Sequence, residues 1–300
     1  MRSEFIAKSV LIVKSESIVK SELIEKLPEQ LVEFLEKQEF SIEDRPKLAA
    51  LCATLLKLEN SWNFGDKHPS SFLEGCFSGE IDQPFYARHK HPEGEHLEKI
   101  FAKLHHSDHA LATVSGEAAI SLIIQSLTQA GDVILVSEKL FGTSKNNFKL
   151  AAAQDGRILK FLPLNDLKQW QHSINEYNPK MIFVESPSNP LAELADIESL
   201  KAALSQHATH LVVDSTYAPA ELYQPLSLGA DIVIESATKF IDGQTRVTGG
   251  LIGLNDKLAW EHLFKVRNAK GYNQVSFNAL SLDYNLRSLK ERILLSLIHI

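Results

Sequence analysis

The sequence has only two cysteines, Cys52 and Cys76, in 300 residues. Two thiols so far apart give no disulfide framework, and such sparing use fits a reducing compartment. Long apolar runs are missing as well. The longest near the start, Ile6 to Val13, is interrupted by Lys8 and Ser9. It is too short to span a bilayer and has no small-residue cleavage site after it. An excess of positive charge is absent too: 31 Lys and Arg face 38 Asp and Glu, a net charge of −7. That balance argues against a nucleic-acid or anionic-membrane surface. Half of the twelve histidines lie between His89 and His109, yet no His-Glu-x-x-His or paired His/Cys spacing occurs among them, so no metal is expected. The chain reads as cytoplasmic, with neither nucleic acid nor membrane as partner.

What is present supports a large core. At 44% hydrophobic content the chain can build one sizeable domain with appendages. Residues 1–27 carry an imperfect six-residue repeat, Ile12-Val-Lys-Ser-Glu16 and Ile18-Val-Lys-Ser-Glu22, too short for a repeat architecture. From Pro28 to Asn60 apolar residues at helical spacing, among them Leu31, Phe34, Leu35, Leu51, Leu55 and Leu58, predict two helices broken near Ser41 to Pro46. We expect 1–75 to form a helical arm that contacts another subunit, with Cys52 packed on its apolar face. A Gly- and Pro-punctuated stretch from Trp62 to Pro84 leads into the main domain. There, strands at Ala110–Val114, Asp132–Val136, Ile158–Leu162, Met181–Val184, Leu211–Asp214 and Ile232–Ile234 alternate with helices. That rhythm predicts an α/β domain whose sheet is mostly parallel. Glu95–Leu104 reads as an amphipathic surface helix, and a helix is expected near Leu282–Leu294.

Two strand ends carry chemistry. Asp231-Ile-Val-Ile-Glu-Ser-Ala-Thr-Lys239 is a β-branched buried strand, a small-residue loop and a lysine. An amine in that position forms a Schiff base with an aldehyde once desolvation or nearby positive charge lowers its pKa, and the Ser236 and Thr238 hydroxyls can donate to a phosphate. The strand Leu211-Val-Val-Asp214 ends in a carboxylate at the edge where α/β sheets bind ligands. Opposite a pyridine nitrogen it would keep that nitrogen protonated; otherwise it caps a helix. Ala110 to Val114 followed by Ser115-Gly116-Glu117 opening a helix is a generic phosphate cradle.

Asp214-Ser-Thr-Tyr-Ala-Pro219, Gln224-Pro-Leu-Ser-Leu-Gly-Ala-Asp-Ile-Val-Ile-Glu-Ser-Ala-Thr-Lys239 and Glu185-Ser-Pro-Ser-Asn-Pro190 resemble the pyridoxal-phosphate enzymes of cysteine and methionine metabolism. The resemblance covers roughly residues 84 to 290, with several motifs in fixed order. It implies a fold of the aspartate-aminotransferase-like type with helices on both sheet faces. It also implies pyridoxal 5'-phosphate on Lys239, Asp214 at the ring nitrogen and Thr216 beneath the ring. Ser236, Thr238, Ser115, Gly116 and Glu117 would surround the phosphate, with the Glu117 carboxylate, where the family has Met, turned away. Asn189 would lie near the cofactor's phenolic oxygen or the substrate carboxylate. Tyr86 and Arg88, in a segment where His91 and Glu93 replace the family's Asn and Thr, would bind the phosphate of a neighbouring subunit in a dimer or tetramer.

The same resemblance implies an amino-acid substrate. Phe141, where much of the family has a stacking Tyr, and Gly243-Gln-Thr-Arg246 resemble the sulfhydrylases that take O-succinylhomoserine, and Arg246 could serve an anionic substrate. A lyase acting on cystathionine or methionine is the alternative, as is a cofactor-binding protein without turnover. The family's C-terminal domain supplies an arginine for the substrate α-carboxylate, and no position here matches it. The expected division is therefore a cofactor-binding domain at 76–268 and the start of a truncated C-terminal domain at 269–300.

Overall fold

The computed structural model describes residues 86–298. The predicted arm, its repeat, both cysteines and the Trp62–Pro84 stretch lie outside those residues. The chain enters through helix α1 (Pro92–Leu104), strand β1 (His109–Thr113) and helix α2 (Gly116–Leu127). Next come β2 (Val133–Ser137), α3 (Gly142–Asp155), β3 (Ile158–Leu162), α4 (Leu167–Tyr177), β4 (Met181–Glu185), α5 (Ile197–Ala203) and β5 (His210–Asp214). A 3-10 turn, Pro225–Leu228, precedes β6 (Ile232–Glu235), β7 (Gly250–Leu254), α6 (Lys257–Lys270), α7 (Ser276–Leu286) and α8 (Leu289–Ile298).

The seven strands make one sheet in the order β1-β7-β6-β5-β4-β2-β3. Strands β3, β2, β4, β5 and β6 run parallel, and β7 runs antiparallel between β6 and β1. Every residue of β4 is buried, which is why it reads as an unbroken apolar run rather than an alternation. On one face Ile120, Ile123 and Ile124 of α2, Phe148 of α3 and Leu263 of α6 pack on Val136, Phe183, Val212 and Ile234. The other face is covered in two parts. Trp170 and Ile174 of α4 with Leu200 of α5 pack on Ile182, Val184 and Val213. Leu97 and Phe101 of α1 with Leu282, Leu286, Leu289 and Ile293 of α7 and α8 pack on Ala112, Val233 and Leu251. Phe148 and Phe183 sit with ring centroids 4.8 Å apart at the centre of the first face. Phe183→Ala is expected to remove about 3–5 kcal/mol of stability through the cavity it leaves, read from the urea unfolding midpoint.

Two elements differ from the sequence reading. Strand β7 has no counterpart in it, because Gly250-Leu-Ile-Gly-Leu lacks the β-branched signature and carries two residues poor in strand propensity. Both glycines are demanded by packing. A Cβ on Gly250 would lie 2.2 Å from the Ser115 carbonyl oxygen, and one on Gly253 would press Val233 at 3.1 Å. The helix expected near Leu282–Leu294 is two helices, α7 and α8. The Asn285 carbonyl receives the Ser288 amide at 3.2 Å, the Ser288 hydroxyl at 3.2 Å and Arg292 Nη2 at 3.0 Å. A carbonyl taken up by partners from the next turn is withdrawn from continuing the α-helix, and the axis turns there.

Candidate active site

The sheet's parallel strands deliver their last residues to one edge. Asp214 ends β5, Glu185 ends β4, and the two are register partners on the same face. Asp214 is also paired with Ile234 on β6, so the turn that follows β6, with Ser236 and Lys239, leaves from the same edge as the Asp214 carboxylate. Strand β1 is antiparallel to β7, which is antiparallel to β6. Its end and the start of α2 therefore join this edge too.

A chain of contacts connects the pieces. Asp214 Oδ1 accepts the Thr216 amide at 2.9 Å, and Thr216 Oγ1 accepts the Ser236 amide at 2.7 Å. Ser236 in turn packs against Gly116: a Cβ on that glycine would lie 2.8 Å from Ser236 Cβ and 3.0 Å from its Oγ. Only glycine lets the first turn of α2 come this close to the end of β6. The Ser115 side chain caps α2 by accepting the Ala118 amide at 3.1 Å, which leaves the first-turn amides at the positive end of the helix dipole for an anion. Lys239 follows at the other side of the turn, its amide donating to the Ser236 carbonyl at 3.1 Å, and its side chain is exposed.

The Asp214 carboxyl is buried, and that burial pushes its pKa from an ordinary 3.8 up to about 7. The bonds from Thr216 pull it down, while the Glu185 and Glu235 carboxylates push it further up. A buried acid with other acids for neighbours is suited to a ligand that brings its own cationic N–H. Glu185 is raised as well, first by burial, with the Phe141 and Asn189 amides offsetting only part of it. Glu235 lies on the opposite sheet face, where Oε1 accepts from buried His105 Nε2 at 2.6 Å and from the Ala220 amide at 3.0 Å.

The remaining predicted residues take several positions. The Glu117 carboxylate is bound by α3, accepting the Ser144 hydroxyl at 2.9 Å and Asn147 Nδ2 at 3.1 Å. It therefore does not occupy the cradle its own amide helps to form. Thr238 Oγ1 accepts the Gly249 amide at 3.1 Å, tying the turn to the approach to β7. Phe141 opens α3 with its ring 48% exposed, and Asn189 is exposed beside it in the loop after β4, its amide held by Glu185 Oε1 at 2.8 Å. Arg246 is exposed, and its amide donates to buried Asp242 at 2.8 Å. Arg88 stacks over the Tyr86 ring at 5.2 Å and donates to the Asn268 carbonyl at 2.5 Å.

Sequence reasoning missed Arg292. Its guanidinium, on α8, donates to the carbonyls of Phe240 and Ile241, directly after Lys239. No local signal marks it, because its partners lie some fifty residues upstream. Several residues of the histidine-rich stretch pack or pair with other side chains. His91 caps α1 by accepting the Gly94 amide at 3.0 Å, His96 meets Asp283 at 3.1 Å, and His109 stacks on Trp260 at 5.0 Å. Among the described residues no group of three His, Cys, Asp or Glu is placed to hold a metal ion, and no helix is long and apolar enough to cross a membrane.

A lysine turn, a buried acid and a helix N-terminus on one sheet edge define a fold-type-I pyridoxal-phosphate architecture. The profile of the Cys/Met metabolism PLP-dependent enzymes matches residues 52–295, and the chain belongs to that family. O-succinylhomoserine sulfhydrylase of Pseudomonas aeruginosa is 38% identical over 217 residues, 72% of this chain and 53% of that protein. Cystathionine gamma-lyase of Saccharomyces cerevisiae is 34% identical over 75% of this chain and 57% of its own length. The crystal structure of cystathionine gamma synthase from Xanthomonas oryzae pv. oryzae in complex with cystathionine superposes with a TM-score of 0.70 at 28% identity, covering 77% of this chain and 57% of that one. The chain thus spans about half the length of these relatives.

Proposed function

We propose that the chain carries the cofactor site of a sulfur-amino-acid enzyme that replaces the γ-substituent of an O-acylhomoserine, O-succinylhomoserine above all, with sulfide or a thiol. The observation that carries the reading is the unbroken path Asp214–Thr216–Ser236–Gly116, with Lys239 on the turn it ends in. The residues fit pyridoxal 5'-phosphate at both ends. Gly116 has no space for a side chain against Ser236, which brings the α2 amides to the turn where a phosphate would sit. Asp214 is a buried carboxylate with two acids for neighbours, where a protonated ring nitrogen would sit.

Lys239 would hold the cofactor covalently through Nζ. The first-turn amides at Gly116 and Glu117, with the Ser236 hydroxyl, would hold its phosphate, and Thr238 would brace the turn. Phe141 would lie against the ring from one side and Thr216 from the other, with Asn189 at the ring's polar rim. When bound, the cofactor supplies the electron sink that makes Cα–H and Cβ–H acidic. Asp214 would hold a proton at the ring nitrogen. Lys239 Nζ would take the proton from substrate Cα and move the one at Cβ. The γ-ester bond would break with its electron pair on the departing carboxylate and sulfide would add at Cγ, so O-succinylhomoserine would yield homocysteine and succinate. Arg246 would meet the anionic acyl group, and Tyr86 with Arg88 would reach the phosphate of a second copy. We assign the site to a cofactor domain at 76–268, in the cytoplasm.

Phe141 in place of a phenol and the Gly243-Gln-Thr-Arg246 segment support replacement. The likeness to cystathionine gamma-lyase supports elimination as the second reading. Incubation with cofactor, O-succinylhomoserine and sulfide, against cystathionine alone, separates the two. Replacement predicts homocysteine and succinate in equal amounts from the first mixture and no reaction in the second; consumption of cystathionine alone would favour the lyase.

A further inference from the structure

The β2/β4 boundary is where the chain direction across the sheet reverses. From β2 the chain goes outward to β3, then returns past β2 to β4, β5 and β6. Loops after two such strands leave toward opposite sides and open a crevice at the sheet edge. Phe141 belongs to the loop after β2 and Asn189 to the loop after β4. Neither is held by its own side chain: the Phe141 ring is exposed and caps nothing, and Asn189 is exposed. What joins them is one buried carboxylate. Glu185, at 5% exposure, accepts the Phe141 amide on Oε2 at 2.7 Å and the Asn189 amide on Oε1 at 2.8 Å. Both bonds are charge-assisted, the strong kind. The same residue is the register partner of Asp214.

We propose that Glu185 is a positioning residue, which sets Phe141 and Asn189 on the two lips of the crevice relative to each other and to Asp214. The proposal rests on the cofactor reading above, since it takes those two residues to flank the ring. Burying a carboxylate beside Asp214 is unfavourable for both acids, and burial holds the Glu185 carboxyl above the usual range. A neutral residue would avoid that penalty. What a neutral side chain cannot do is accept two amides from two loops at once. Glutamine has one acceptor oxygen, and its NH2 would face the other N–H.

The test is the dissociation constant of pyridoxal phosphate, measured by fluorescence titration on the parent chain, Glu185→Gln, Phe141→Ala and the double variant, with circular dichroism as the check on folding. Glu185→Gln is expected to bind roughly 10- to 100-fold more weakly, the loss of one hydrogen bond to a charged acceptor. The double variant should be no weaker than the worse single, because Glu185 acts through Phe141. Should Glu185→Gln not fold, Glu185→Asp keeps the charge and shortens the reach, and weakened binding is expected there as well. Unchanged affinity in a folded Glu185 variant, or fully additive losses in the double, overturns the proposal and leaves the cofactor site standing. No binding by the parent chain overturns both.

Discussion

Asp214→Asn will flatten the pH dependence of stability of the cofactor-free protein between about pH 4 and pH 7. In the parent, the Asp214 pKa is raised on folding from 3.8 to about 7. The folded chain therefore binds the proton more tightly than the unfolded chain does. This stabilisation is fully present below the unfolded value of 3.8 and is lost as pH rises through the folded value near 7. The shift corresponds to at most about 4 kcal/mol at 1.36 kcal/mol per unit. Asparagine keeps an oxygen for the Thr216 amide and has no proton to lose. The variant should match the parent near pH 4 and exceed it in stability near pH 8. Urea midpoints across that range check this, and a parent–variant difference that does not change with pH would contradict the burial argument. His91, which does not act on Asp214, is common to both proteins and cancels in the difference. On the proposed function Asp214 is the acid that faces the ring nitrogen, so a gain in stability is expected together with a loss of turnover.

Lys239→Ala should show the reverse pattern. The side chain is exposed, and its backbone bonds to Ser236 and Gly243 do not need it. Stability should stay within about 0.5 kcal/mol of the parent, as for surface changes elsewhere. Turnover should fall by roughly 10²–10⁴-fold from the lost proton transfer alone, and the covalent hold on the cofactor goes with it. Thermal unfolding and a coupled assay on the same preparation read both. Loss of fold in this variant, or retained turnover, contradicts the role given to the residue.

The pair of predictions shows which parts of this molecule were legible in its sequence. The strands ending at Asp214 and Glu235 were readable because buried parallel strands are short apolar runs with sharp polar ends. The start of α2 was readable because Ser115 answers a local demand for a cap, whereas the demand on Gly116, close approach to Ser236, shows only in the fold. Elements set by distant partners were not readable. Strand β7 looks like a loop until the Ser115 carbonyl and Val233 are placed against its glycines. The division between α7 and α8 depends on the Asn285 carbonyl being taken up by Ser288 and Arg292. Glu185 reads as one more polar residue at a strand end, and only the fold shows both of its oxygens engaged by different loops. In the histidine-rich stretch, His91 caps α1 and His105 closes a buried pair with Glu235.

The central claim is that Lys239 and Asp214 serve a single ring. Adding pyridoxal phosphate to the purified chain, reducing with borohydride and sequencing the digest by mass spectrometry tests it most directly. The account predicts the cofactor's added mass on the peptide containing Lys239, with much less label when Asp214→Asn is treated alongside. Label spread over several lysines, or labelling of Lys239 indifferent to Asp214→Asn, would contradict it.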